Sequence, residues 1–239
     1  MPLPKRLLWL PSCAAGHGAL TYTALATAFS YIFCDPVFVF SLFSGLYLMA
    51  WGLGMLRVEK SRRGTEETVA LILFHSLAGI LLANPGIWAV LAANETARVL
   101  LRTRHQDLLF LILPLGIILT VCCGWVFGVR QAAISKLIKT QKHAETQTGK
   151  TFWEQDYCGA FAGIMIFAFI FNPLWGLIRG ILLSQVIALG VTDLVFFRAS
   201  PQSQPRLLKI LIFLTHIYIL ISLGAHPFVS NALDAISGF

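Results

Sequence analysis

Charge is scarce in this sequence. Only 12% of its 239 residues are charged, against about 25% in an ordinary soluble domain. Acids are the scarcer sign, 11 Asp and Glu beside 18 Lys and Arg. A soluble fold with so little charge would expose apolar patches wide enough to aggregate. With 57% hydrophobic residues and a mean hydropathy of +0.76, the natural solvent is a lipid bilayer. Equally absent is the alternation of apolar and polar residues, in segments of about ten, that a membrane barrel requires. The helix remains, because it satisfies its own backbone in lipid. The expected fold class is all-α, a polytopic transmembrane helical bundle of about seven spans, with residues 1–239 as a single transmembrane domain.

Motifs for chemistry are missing too. The five cysteines, Cys13, Cys34, Cys122, Cys123 and Cys158, form no CxxC pair and are odd in number. No disulfide or zinc framework can be read from them, and they read as small buried apolar residues. There is no phosphate loop, no hydrolase elbow, no repeat and no low-complexity tract. Nothing places a serine beside a histidine, so catalysis is not expected. The basic excess reads as the positive-inside bias of cytoplasmic loops rather than as a nucleic-acid surface. The opening "MPLPKRLLWLPSCAAG" resembles a secretory signal, but the apolar stretch between Arg6 and Pro11 is too short for one. It reads as the lead-in to the first helix.

What the sequence does have is long apolar runs. Spans are expected at roughly 12–34, 36–56, 68–93, 107–129, 155–174, 175–197 and 207–229. "NPLWG" joins the fifth and sixth, where Asn172 and Pro173 favour a turn. "NPG" at 84–86 predicts a kinked or partly re-entrant third span. On one side of such a bundle fall Lys5, Arg6, Arg57, Lys60, Arg62, Arg63, Arg130, Lys136, Lys139, Lys142, Lys150, Arg198, Arg206 and Lys209, 14 of the 18 basic residues. The other side holds Arg98, Arg102, Arg104 and Arg179. That split predicts a cytoplasmic N-terminus in a bacterial inner (plasma) membrane. The dissenting segment, "ETARVLLRTRHQD", reads as an amphipathic interfacial helix.

Ionisable residues inside spans are costly and mark candidate sites. His17, His75, His216 and Asp193 are the cases here. Each histidine can serve as a neutral imidazole bonded between helices. His75 and His216 also lie at matching depth, which leaves open a haem held between them as axial ligands. Asp193 stands close enough to Arg198 to pair with it at the interface.

The segment "FWEQDYCGAFAGIMIFAFIFNPLWG", residues 152–176, sets two acids against an apolar run. Gly159 and Gly163, spaced i and i+4, let another helix backbone approach closely. Asp156 one turn earlier reads either as a helix N-cap favoured by the dipole or as a cation-attracting vestibule. In the second reading Glu154 adds charge while Trp153 and Tyr157 supply aromatic walls.

Two stretches resemble a known family. They are "GALTYTALATAFSYIFCDPVFVFSLFSGLYLMAWGLGML", residues 18–56, and "DYCGAFAGIMIFAFIFNPLWGL", residues 156–177, continuing through the sixth span. Together, over about half the chain, they are similar to the integral membrane domain that precedes the soluble enzyme in membrane-linked spermidine synthase-like proteins. That family carries a Tyr-Glu pair in its first helix, a Leu-Gly-x-Gly run ending its second, and a later helix opening with Asp or Asn and then Gly-Ala-x-x-Gly. Here Tyr22, Gly52, Gly54, Asp156, Gly159, Ala160 and Gly163 match. Thr23 stands where the acid would be, and the sequence ends at Phe239 without the soluble catalytic domain. The resemblance implies Tyr22 and Asp156 as site residues, but aminopropyl transfer is not expected.

Three classes of function fit these observations. The expected one is a non-catalytic multi-pass membrane protein, a partner or scaffold subunit. It would pack against another membrane protein, or a second copy of itself, through the helix-packing glycines Gly52, Gly54, Gly159 and Gly163. The alternatives are a carrier or binding protein for a small cationic or amphipathic ligand, and a haem-binding redox subunit. No cofactor is expected apart from that haem, and no nucleic acid.

Overall fold

The computed structural model describes residues 9–33, 35–60, 64–101, 105–141, 148–199 and 206–237. Every regular element among them is helical. In chain order they are α1 (Leu10–Phe33), α2 (Pro36–Glu59), α3 (Thr65–Leu101), α4 (His105–Gln141), α5 (Thr148–Ile166), α6 (Asn172–Ala199) and α7 (Arg206–Ser237). Among the described residues, four segments are long and apolar enough to cross a membrane: Pro36–Glu59, Glu66–Asn94, Ile112–Lys139 and Glu154–Leu177. A shorter apolar helix runs over Leu208–Ser222.

Helix ends follow local chemistry rather than hydropathy. Asp35 caps α2, its carboxylate accepting the Phe38 N–H at 2.9 Å, while Pro36 fills a first-turn position that needs no N–H. Helices α3 and α4, 37 residues each, overrun the apolar spans 68–93 and 107–129 at both ends. Hydropathy marks lipid thickness, whereas helix continues wherever polar residues such as Gln, Lys and Glu still favour it. Residues 95–107 accordingly form no separate interfacial helix. They complete α3 and begin α4, residues 102–104 lying outside those described.

The two proline segments behave differently from simple helix breaks. Helix α3 continues unbroken through Asn84, Pro85 and Gly86. Its length of about 55 Å suits crossing, not re-entry. The fifth and sixth segments do not turn at Asn172 and Pro173 either. Asn172 is helical (φ −66°, ψ −46°), and α5 passes through a π turn, Phe167–Phe171, before α6 begins. A π turn spares the carbonyls that the proline ring would otherwise strike. The break falls at Gly176, φ +72° and ψ 172°, a conformation that a side chain disfavours.

Small residues set the helix registers. Gly124 and Gly128 of α4 press on the backbone at Tyr47 and Trp51 of α2, and Gly54 presses on Trp125, so α2 and α4 run parallel. Gly159 and Gly163 of α5 press on Ser12 and Gly16 of α1, again in parallel. Gly79 and Gly86 of α3 meet Phe127 and Leu119, making α3 antiparallel to α4. Gly52, expected as a packing residue, has open space beside it. Two residues along a helix turn about 200°, so Gly52 cannot share the face of Gly54. The cysteines differ from expectation as well. Cys123 is buried, while Cys13, Cys122 and Cys158 are exposed and free, and Cys34 lies outside the described residues.

Candidate functional site

Phe127, Arg130, Gln131 and Ile134 fall at i, i+3, i+4 and i+7 and form one face of α4. That face is buried, Arg130 being 4% exposed and Gln131 1%. Arg130 thus sits inside the bundle, not in the cytoplasmic loop to which charge counting assigns it. Its guanidinium lies 4.7 Å from the centre of the Phe127 ring. Its Nη2 donates to the Ala14 carbonyl at 2.5 Å, and Nη1 donates to His17 Nδ1 at 2.9 Å. Arginine only donates, so Nδ1 accepts and the histidine proton sits on Nε2. Nε2 then donates to Gln185 Oε1 at 3.0 Å. A chain of hydrogen bonds crosses α4, α1 and α6 through the middle of an apolar bundle. No carboxylate among the described residues stands within ion-pair distance of Arg130, and its Nε has no partner. The Gln185 amide nitrogen is also buried without a partner.

Arg130 and His17 form part of the wall of a cavity of about 310 Å³, lined by α1, α3, α4, α5, the π turn and α6 and open on one side. The other walls are nearly all apolar. Their hydroxyls are engaged: Ser12 donates to Gln155 O at 2.9 Å, Ser76 to Ile72 O at 2.8 Å, Ser184 to Ile181 O at 2.7 Å and Thr192 to Ala188 O at 2.7 Å. The volume is near the lower end for small-molecule sites, about 300–1,000 Å³.

The residues singled out from sequence are dispersed. Helix α5 begins at Thr148, so Asp156 lies two turns inside it and cannot be an N-cap. The polar residues before the apolar run extend the helix. Asp156 instead accepts a hydrogen bond from the Gln131 amide. Glu154 and Tyr157 are exposed, so the two acids do not share an enclosed vestibule. The Trp153 side chain lies outside the described residues. The Tyr22 hydroxyl bonds Ser44, and its ring centre lies 5.0 Å from that of Tyr47. Tyr22 and Asp156, the site residues that the resemblance implies, are thereby engaged in contacts between helices.

The histidine pair fares no better as a haem site. His75 Nδ1 bonds Leu71 O at 2.9 Å and His216 Nδ1 bonds Ile212 O at 2.8 Å. His216 Nε2, the nitrogen that would face an iron, is held by Asp193 at 2.9 Å. Asp193 thus meets α7, and the side chain of Arg198, with which it was expected to pair, lies outside the described residues. Among the described residues no group of three or more His, Cys, Asp or Glu is gathered to hold a metal.

Sequence reading passed over Arg130, Gln131 and Gln185. A signal existed for the first two: the apolar spacing continues past them through Ala133, Ile134 and Leu137, which keeps both on a packed helix. It also passed over "GWVFG", 124–128, a small-residue pair of the same spacing as Gly159 and Gly163.

Asp156→Asn is expected to keep the fold within about 1 kcal/mol, since the asparagine oxygen still accepts from Gln131. Asp156→Leu leaves that buried amide only the long contact to the Pro11 carbonyl at 3.5 Å and is expected to cost about 1–3 kcal/mol. Thermal melting of both variants checks this; equal melting of the two would remove the bond from the account.

Compared with family models, curated proteins and solved structures, the chain finds no match.

Proposed function

We propose that this chain is a membrane-embedded binding protein, in the manner of a carrier, for a small amphipathic molecule. The observation that carries this reading is the cavity, apolar on most sides with Arg130, which meets no carboxylate among the described residues, in one wall. A void of this size in a packed bundle leaves its lining without contact partners, which is costly unless something occupies it. The scaffold reading relied on glycine faces as docking surfaces. Gly54, Gly159 and Gly163 are instead closed against α4 and α1 of the same chain. A cationic ligand loses support because Glu154 and Asp156 do not converge.

In this reading the chain crosses the membrane seven times with its N-terminus in the cytoplasm. The parallel pairs α1/α5 and α2/α4, with α3 antiparallel to α4, support alternating crossings. Removing Arg130 from the loop count leaves 13 of 17 basic residues on the N-terminal side (14 − 1 of 18 − 1), so the charge argument survives. An engineered Ser230→Cys in an otherwise cysteine-free chain is expected to react with an impermeant maleimide from outside intact cells. Protection there, with reaction at Lys142→Cys, would invert the orientation.

Ala188 lines the cavity and is buried. Ala188→Phe fills space that is already open, so folding and melting temperature are expected to hold. Wild-type protein purified in mild detergent should carry a stoichiometric amphipathic molecule, measured by mass spectrometry of the extract, and the variant should have lost most of it. Equal amounts from both would overturn the proposal.

A further inference from the structure

We infer that the occupant of this cavity is a single-chain anionic amphiphile, its carboxylate or phosphate head held by Arg130 and its tail against the apolar wall. This rests on the binding function proposed above and names the ligand class.

The head-group chemistry follows from which donors remain. The cavity hydroxyls of Ser12, Ser76, Ser184 and Thr192 have their protons on backbone carbonyls. Arg130 is therefore the strong donor left on the wall, with Nε unpartnered and the residue 96% buried (100 − 4). Its neighbours satisfy two donors but supply no charge: a carbonyl, a neutral imidazole and an aromatic face. A guanidinium held in a low-dielectric interior calls for a counter-charge, and planar oxyanions match its geometry. An alcohol or amine head would leave that charge uncompensated.

The tail chemistry follows from where the cavity opens. Ile166 of α5 and Ile187 of α6 line it and yet are 38% and 54% exposed. Both belong to apolar helix faces that look out of the bundle. The opening therefore faces lipid, and a molecule entering there carries its hydrocarbon with it.

The test uses hexadecanoate bearing a diazirine in its tail, with wild-type protein in neutral phosphatidylcholine vesicles. After illumination, mass spectrometry locates the cross-links. They are expected on α1, α5 and α6 around the cavity. Unlabelled hexadecanoate and hexadecyl phosphate should suppress them at concentrations at least about tenfold below hexadecanol, the scale of a charge-assisted hydrogen bond. Arg130→Gln should erase that preference and Arg130→Lys should retain part of it. The head-group series in wild-type protein decides the matter even if Arg130→Gln does not fold. Equal suppression by hexadecanol and hexadecanoate would overturn the anionic head while leaving an amphipathic site. Inorganic phosphate competing as well as hexadecyl phosphate would overturn the amphiphile and leave a free oxyanion site. Cross-links spread over lipid-facing residues with no competition would overturn both this inference and the binding function.

Discussion

Gly163→Leu is expected to keep the chain from reaching its folded state. A Cβ built at Gly163 collides with the carbonyl, carbonyl carbon and Cα of Gly16, and one at Gly159 collides with the backbone of Ser12. These are backbone atoms of a buried helix, so no rotamer change relieves the contact. Overpacking an ordinary core costs about 1–3 kcal/mol. Here the relief must come from pushing α1 off α5. That movement breaks the Ser12 bond to Gln155 and removes two walls of the cavity. A loss well above the usual range follows, comparable to the whole stability of a domain, about 5–15 kcal/mol. Gly52→Leu is the control, because nothing stands within 4 Å of its Cβ position. Size-exclusion chromatography of detergent extracts reads the result. Monodisperse Gly163→Leu at wild-type yield would mean that the α1–α5 contact does not hold the bundle together.

The next largest effect is expected from His17→Leu. Leucine approximates the volume but leaves the Arg130 Nη1 without its acceptor and Gln185 Oε1 without its donor, both in the interior. Each orphaned buried group costs about 1–3 kcal/mol, more when charged. The sum is about 3–5 kcal/mol, a fall in melting temperature of the order of ten degrees. His17→Asn and His17→Gln restore one of the two bonds each, through an oxygen near Nδ1 or a nitrogen near Nε2. Both are expected to melt between wild type and the leucine variant. Melting of His17→Leu within about two degrees of wild type would show that lipid or water satisfies Arg130 in place of the imidazole.

Different parts of the molecule were legible from sequence to different degrees, for reasons specific to each. The apolar run at 36–56 announces α2 because hydropathy is a property of the run itself. The end of α4 was misread for the same reason. Beyond residue 129 the sequence becomes polar while the helix, needing only its own i to i+4 bonds, continues to Gln141. Arg130 moved from a loop to the interior through that one error. Gly159 and Gly163 show their spacing locally, but which backbone fills the groove is not local information. Gly52 and Gly54 look equivalent in sequence, and only helical phase separates them.

By itself, then, the sequence determined the helical class and the four segments long and apolar enough to cross a membrane, since these depend on residues adjacent in the chain and on the cost of unpaired backbone in lipid. The tertiary structure alone decided the site. His17 and Arg130 are 113 residues apart, and His17 and Gln185 are 168 apart. No local pattern records that the three helices carrying them converge. Convergence is set by small residues closing α1 on α5 and α2 on α4, and a buried hydrogen bond forms only after that packing brings donor and acceptor within about 3 Å.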